Sequence, residues 1–247
     1  MKATGDSIDP TEVARFSAQA AGWWDPAGSF RPLHRLNPAR LRFICEVLTT
    51  HFPCDERSLR PFRGLSLADI ACGGGLIAEP MARLGFAVTA IDADKEAIAV
   101  AREHAATAGG LDIDYRVGSG ESLLRDNARF DAVLALEVIE HVVDPAAFLG
   151  TCSSLLKPGG AFIGATLNRT PQSFALAIVG AEYLLRWLPR GTHDWRRFVR
   201  PSEFVLNLRR AGLKPVRLQG LHYRPTTGDW APTDDLSVNY LVAAVKS

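Results

Sequence analysis

Between Leu67 and Asp92 the chain runs through a strand, an acid, three glycines, a helix and a second strand ending in an acid. No other stretch limits the fold as tightly. The first part reads Leu67-Ala68-Asp69-Ile70-Ala71-Cys72-Gly73-Gly74-Gly75 and the second Val88-Thr89-Ala90-Ile91-Asp92. Asp92 follows the glycines by about 20 residues, the spacing of a ribose-binding acid in a nucleotide-type βαβ unit. Glycine has no Cβ, so the loop can turn tightly and let a ligand lie on bare backbone.

Two ligand classes fit this loop. Gly73-x-Gly75-x-x-Ala78 satisfies the looser dinucleotide fingerprint. Asp69 argues the other way, because a pyrophosphate is bound by helix N–H groups with no carboxylate beside it. A cationic amino-acid tail such as that of S-adenosylmethionine (SAM) can use an acid there. A glycine turn that merely joins a strand to a helix is the third reading.

The pattern after residue 65 is strand, helix, strand, helix. Strands read at about 65–70, 87–91, 113–117, 130–136 and 161–166, and helices at about 76–84, 94–107 and 145–156. Such alternation implies a parallel sheet with helices on both faces and ligands outside the carboxyl ends of the strands, where Asp69, Asp92, Leu136 and Glu137 fall. A helix near 202–211, a strand near 214–219 and a last strand at 238–246 complete the domain. Ahead of it, Asp9-Pro10-Thr11-Glu12 and Asn37-Pro38 each start a helix by the same capping logic. The organisation is therefore an N-terminal helical cap over 1–60 and an α/β domain over 61–247, with an insert at about 167–200. Within that insert Phe174 to Leu188 is apolar almost all round, and Arg186, Arg190, Arg196, Arg197 and Arg200 lie at its end or follow it.

A net charge of +1 over 247 residues gives no general attraction to nucleic acid, and no nucleic-acid partner is expected. Cys45, Cys54, Cys72 and Cys152 have no C-x-x-C spacing, which argues against a zinc site and fits a reducing compartment. The start of the chain is polar and acidic rather than signal-like. Without an apolar run near 20 residues, no span is expected.

Several short motifs together resemble the ubiquinone-biosynthesis O-methyltransferases. They are Trp23-Trp24-Asp25, Pro32-Leu33-His34-Arg35-Leu36-Asn37-Pro38, Cys72-Gly73-Gly74-Gly75, Glu137-Val138-Ile139-Glu140-His141, Leu167-Asn168-Arg169, Gly180-Ala181-Glu182-Tyr183, Gly191-Thr192-His193-Asp194 and Val238-Asn239-Tyr240. The resemblance covers nearly the whole chain. It implies a Rossmann-like SAM-methyltransferase fold, α/β, with a seven-stranded, mostly parallel sheet whose last strand is antiparallel. It implies methyl transfer from SAM to ring hydroxyls of prenylated phenolic and quinol intermediates. The alternatives are another small phenolic acceptor or a non-catalytic SAM- or nucleotide-binding module.

By resemblance Arg40 clamps the SAM carboxylate, Ala71 lies along the SAM tail, and Leu136 rests against the cofactor. The family usually has Gly at the position of Ala71, and an alanine is acceptable there if φ is negative. Asp69, Gly73, Gly75 and Asp92 complete the expected cofactor set. Glu121 is placed toward the adenine, Trp23 and Trp24 are read as cover for the pocket, and His34, His193 and His222 receive no role.

Glu137, Glu140 and His141 form the expected chemical centre. A phenol titrates near 10 and a histidine near 6.5, a gap of roughly 5 kcal/mol that a lone histidine bridges poorly. A divalent cation such as Mg²⁺ would close it. If the chain turns helical after strand four, all three side chains share one face and can serve as both catalytic and metal ligands. The apolar insert with its arginines adds anionic membrane lipid as an expected partner, together with other proteins of the same biosynthesis. The expected location is cytoplasmic, peripheral to the inner face of the membrane.

Overall fold

A computed structural model describes residues 10–55, 57–176 and 194–247. The helices are α1 (Pro10–Ser17), α2 (Arg31–His51), α3 (Ala78–Arg83), α4 (Lys95–Thr107), α5 (Gly120–Arg125), α6 (Pro145–Leu155), the single turn α7 (Pro171–Ser173) and α8 (Pro201–Arg210). The strands are β1 (Ser66–Ile70), β2 (Ala87–Asp92), β3 (Ile113–Val117), β4 (Phe130–Leu136), β5 (Leu156–Leu167), β6 (Leu213–Arg224), β7 (Asp229–Thr233) and β8 (Asn239–Lys246).

They form one sheet in the order β3-β2-β1-β4-β5-β8-β6-β7. Strands β1 to β5 pair in parallel, and β8 runs antiparallel between β5 and β6. Burial explains the strand composition: Leu67, Ala68, Ala132, Val133, Leu134 and Ile163 are fully enclosed, as a parallel sheet covered on both faces requires. The order steps from β1 outward to β2 on one side and to β4 on the other. That reversal opens a crevice at the carboxyl edge.

The expected sheet is present with one strand more. β7 forms an antiparallel hairpin with β6, pairing Leu221 with Pro232 and Tyr223 with Trp230. Its Pro232 is tolerated because β7 is the sheet edge.

Helix α2 differs from the sequence reading in its start. It begins at Arg31, not at Asn37, and carries Pro38 inside. Pro32 already supplies the helix-starting proline, and Pro38 forfeits one backbone bond. Packing outweighs that loss, since Leu36, Asn37, Arg40, Phe43 and Ile44 of the same helix are all buried. Most of the apolar run from Phe174 to Leu188, with Arg186, Arg190, Gly180 to Tyr183 and Gly191 to His193, lies outside the described residues. Among the described residues no helix is long and apolar enough to cross a membrane.

Candidate active site

The crevice holds a pocket of about 730 Å³. Its walls come from the ends of β1, β2, β4 and β5, the start of β8, helix α2 and the β6–β7 hairpin. Of the expected site residues, Arg40, Asp69, Ala71, Gly73, Asp92, Leu136, Glu137, Glu140 and His141 all line it.

Gly75 does not line it. At φ +86°, a side chain there would collide with the Tyr115 hydroxyl, so this glycine is required by packing behind the loop. Glu121 is also absent from the wall, while Gly118, Ser119 and Gly120 are part of it.

The glycine loop is fastened to β2 by one carboxylate. Asp92 Oδ2 accepts from Gly73 N at 2.8 Å, and its Oδ1 accepts from Asp94 N at 2.8 Å. The cap of α4 is Asp94, which accepts from Glu96 N, so Asp92 is not spent on the helix. Each Asp92 oxygen keeps a lone pair for a further donor. Burial raises the Asp92 carboxyl above its usual range, and the backbone N–H groups partly offset this.

Asp69, one strand away, is buried and more strongly perturbed. Desolvation, then the charge of Asp92, pushes it up to about 7.

Ala71 departs from expectation. Its φ is +58°, the left-handed region that L residues with a Cβ enter only at a cost. The condition of a negative φ fails, although the exposed methyl meets no steric barrier from burial.

Two tryptophans cover the loop. A side chain on either Gly73 or Gly74 would strike the Trp23 ring, so bare backbone here admits an aromatic cover. Trp23 stacks on Phe30 at 3.9 Å. Trp24 Nε1 donates to Gly74 O at 2.9 Å, and its ring stacks on His104 at 3.4 Å. His34 Nε2 meets Trp23 O at 2.8 Å, a structural engagement of that histidine. His222 lines the pocket, and His193 lies outside the described residues.

The expected helix after β4 does not form. Glu137 is left-handed at φ +53° and residues 139–141 make a turn, so Glu137, Glu140 and His141 share no helix face. Glu137 pairs with Arg40 and accepts from Asn239 Nδ2 at 3.1 Å. Glu140 is buried and accepts from Thr166 Oγ1 at 2.8 Å. Burial and then the Glu137 charge hold the Glu140 carboxyl well above its usual range. Among the described residues no group of three or more His, Cys, Asp or Glu is placed to hold a metal ion. The metal triad expected from the spacing is therefore not assembled in this conformation.

Buried polar groups are nearly always hydrogen-bonded, so clustered exceptions mark a ligand site. Ten buried side-chain nitrogen or oxygen atoms among the described residues lack a partner. Seven belong to residues of this pocket: Trp23 Nε1, Arg40 Nε, Asp69 Oδ2, Asp94 Oδ2, Ser119 Oγ, Glu140 Oε1 and Asn239 Oδ1. Asp94, Ser119 and Asn239 have no site role in the sequence reading. Asp94 follows β2, Ser119 follows β3 and Asn239 opens β8, so all three sit at the ligand-facing edge.

Comparison with known proteins agrees with this geometry. A methyltransferase-domain family matches residues 68–164. The ubiquinone biosynthesis O-methyltransferase of Paramagnetospirillum magneticum is 54% identical over 97% of this chain and 96% of its own. That of Caulobacter vibrioides is 55% identical over 97% and 95%. Among solved structures, a magnesium protoporphyrin IX methyltransferase from Synechocystis with bound S-adenosylhomocysteine (SAH) superposes with a TM-score of 0.66. It is 18% identical over 97% of this chain and 100% of that one, a likeness of fold. The chain belongs to the ubiquinone biosynthesis O-methyltransferase family of class I SAM-dependent methyltransferases.

Proposed function

We propose that this protein transfers the methyl group of SAM to ring hydroxyls of prenylated catechol and demethylubiquinol acceptors. One observation carries the donor half. The pocket contains both an unpartnered buried carboxylate oxygen, Asp69 Oδ2, and an unpartnered buried guanidinium N–H, Arg40 Nε. A zwitterionic amino-acid tail supplies the complement of each, with its ammonium for Asp69 and its carboxylate for Arg40. A pyrophosphate would meet the Asp69 carboxylate beside the glycine loop, which favours SAM over a dinucleotide. In this reading Asp92 accepts from the ribose hydroxyls. Gly73 and Ala71 offer backbone along the tail, and Leu136 packs on the cofactor.

When bound, SAM supplies an electrophilic methyl on a sulfonium, and the C–S bond breaks as the phenolic oxygen attacks. The chain's task is to hold the acceptor oxygen in line and to keep water out. Leu167, Leu221, Val238 and Trp230 give the acceptor end an apolar wall suited to a ring and the start of an isoprenoid tail. His141 and the Glu137–Glu140 carboxyl pair are the groups there that can take the phenolic proton. Burial and the neighbouring Glu137 charge raise the Glu140 carboxyl, which favours its neutral form in this wall.

A divalent cation is a separate proposal. It is supported by donor chemistry alone, two carboxylates and an imidazole on one wall, and it would have to draw Glu137 from Arg40. Turnover of labelled SAM on a prenylated catechol, with NAD reduction as the alternative, tests the main reading. No methyl transfer to any catechol or quinol acceptor would refute it. Full activity after exhaustive chelation, with His141→Ala still slowed about 10²- to 10⁴-fold, would retain the base and remove the metal.

The cap over 1–60, the domain over 61–247 and the peripheral membrane location are parts of the same reading. Phe174 and Leu176, within the insert, are exposed apolar side chains and support a lipid contact. Contacts with other proteins of the biosynthesis are proposed on the family membership alone.

A further inference from the structure

Asn239 is the first residue of β8, where it pairs with Leu167 at the end of β5 and with Leu221 in β6. Because β8 is reversed, its beginning lies at the carboxyl edge of the parallel strands. Asn239 is therefore buried in the pocket wall although it stands almost at the end of the chain. Its Nδ2 donates to Glu137 Oε1 at 3.1 Å, while its Oδ1 has no partner. The amide cannot turn over to cure this, since its oxygen would then face Glu137 Oε1, which already accepts from Arg40.

The missing partner is a hydrogen-bond donor, and its position excludes the cofactor's ammonium and ribose. Sheet order places β8 three strands from β1 and four from β2. At about 4.8 Å per strand, Asn239 is roughly 14 Å across the sheet from Asp69 and roughly 19 Å from Asp92. The ammonium and ribose that these acids would hold cannot reach it. The donor belongs to the acceptor molecule, whose reacting oxygen must lie near Glu137 and His141.

We propose that Asn239 Oδ1 accepts a hydrogen bond from the hydroxyl next to the one being methylated, so that the site selects vicinal dihydroxy rings over monohydroxy rings. The proposal rests on the catechol reading above. Asn239 has two tasks under it, holding Glu137 through its N–H and reading the neighbouring hydroxyl through its oxygen. A site built around a buried acceptor discriminates strongly against an analogue lacking the donor, because the acceptor is then left unpaired.

The test compares kcat/KM for a catechol bearing one isoprene unit with that for the matching phenol lacking the adjacent hydroxyl. Wild type and Asn239→Leu are measured on both, with SAM titration and circular dichroism to check the fold. Asn239→Ala replaces the leucine variant if that one fails to fold. The expected wild-type preference for the catechol is about 10- to 100-fold, falling to within about threefold in the variant. An unchanged preference in the variant, or an equal slowing on both acceptors, would overturn the proposal. So would a wild type indifferent to the adjacent hydroxyl. A wild type that methylates neither this catechol nor a quinol acceptor would instead refute the catechol reading itself.

Discussion

Arg40, buried in α2, forms an ion pair with Glu137 at the end of β4, 97 residues later in the chain. The pair joins helix α2 to the carboxyl edge of the sheet inside the pocket. The guanidinium is not exhausted by it: Nη1 lies 3.5 Å from Asn37 Oδ1, and Nε has no partner. One side chain can thus serve an acid of the protein and a carboxylate of the ligand together.

Arg40→Met should weaken SAM about 10- to 150-fold, the scale of a lost charged hydrogen bond of about 1.5–3 kcal/mol. It should also lower stability by roughly 1–3 kcal/mol, because Glu137 would lose its counter-charge while still partly exposed to water. Titration calorimetry reads the first and urea unfolding the second. Undiminished SAM affinity would remove Arg40 from the cofactor site.

Asp69 predicts opposite pH trends for stability and for binding. Its folded value near 7 lies above the unfolded 3.8, so the ligand-free folded protein binds the extra proton between these pH values. Stability contributed by Asp69 is then present at low pH and lost as pH rises toward 7. SAM affinity should rise over the same interval, because only the ionised acid pairs with the ammonium. Asp69→Asn should flatten both slopes, raise ligand-free stability at pH 8 by up to roughly 4 kcal/mol, and weaken SAM. Chemical unfolding and calorimetry at pH 5 and pH 8 supply the four numbers. A variant less stable than wild type at pH 8 would contradict the assignment.

Ala71→Gly should stabilise the protein by up to about 1 kcal/mol, since glycine adopts φ +58° without the Cβ penalty. For a chain of this size that corresponds to about 2–4 °C in Tm. SAM affinity should stay within about threefold, because the backbone course is already that of a glycine. A lower Tm would show that the methyl contributes packing that outweighs its strain.

The exposed Phe174 and Leu176, with the arginines that follow, should bring the protein to anionic vesicles. Co-sedimentation with phosphatidylglycerol-containing liposomes should rise with anionic lipid and fall with salt. At about 1 kcal/mol per basic residue, Arg186→Glu/Arg190→Glu should reduce binding by tenfold or more. Equal pelleting of wild type and variant would count against a lipid contact.

The alternation of strands and helices was legible because parallel strands buried on both faces leave unbroken apolar runs such as Ala132 to Ala135. Asp69 and Asp92 could be read because each ends a strand beside a conspicuous loop. What stayed hidden depended on the third dimension. Pro38 looks like a helix start until the burial of Arg40 and Ile44 shows why the helix runs through it. The Glu137–His141 spacing suggests a helix face, yet a left-handed Glu137 redirects the chain, and one backbone angle carries no sequence period. Gly74 is needed for Trp23, about fifty residues upstream, and Gly75 for Tyr115, forty downstream. Asn239 lies in one of the motifs that carry the resemblance, but its place in the pocket wall comes from the reversed direction of β8.

That reversed strand also bears on how the protein could be cut. The segment that matches the methyltransferase domain, residues 68–164, contains Asp69, Asp92, Ser119 and Glu137 but neither Arg40 nor Asn239. In the intact chain β8 covers the side of β5 through seven paired residues, from Ala161–Val245 to Leu167–Asn239. A fragment ending at 164 would leave that strand with open N–H and C=O groups flanked by Phe162 and Ile163, a template for self-association. The final eight-residue strand is thus a guard against aggregation as well as a wall of the pocket, and a minimal donor-binding fragment would need a substitute for it.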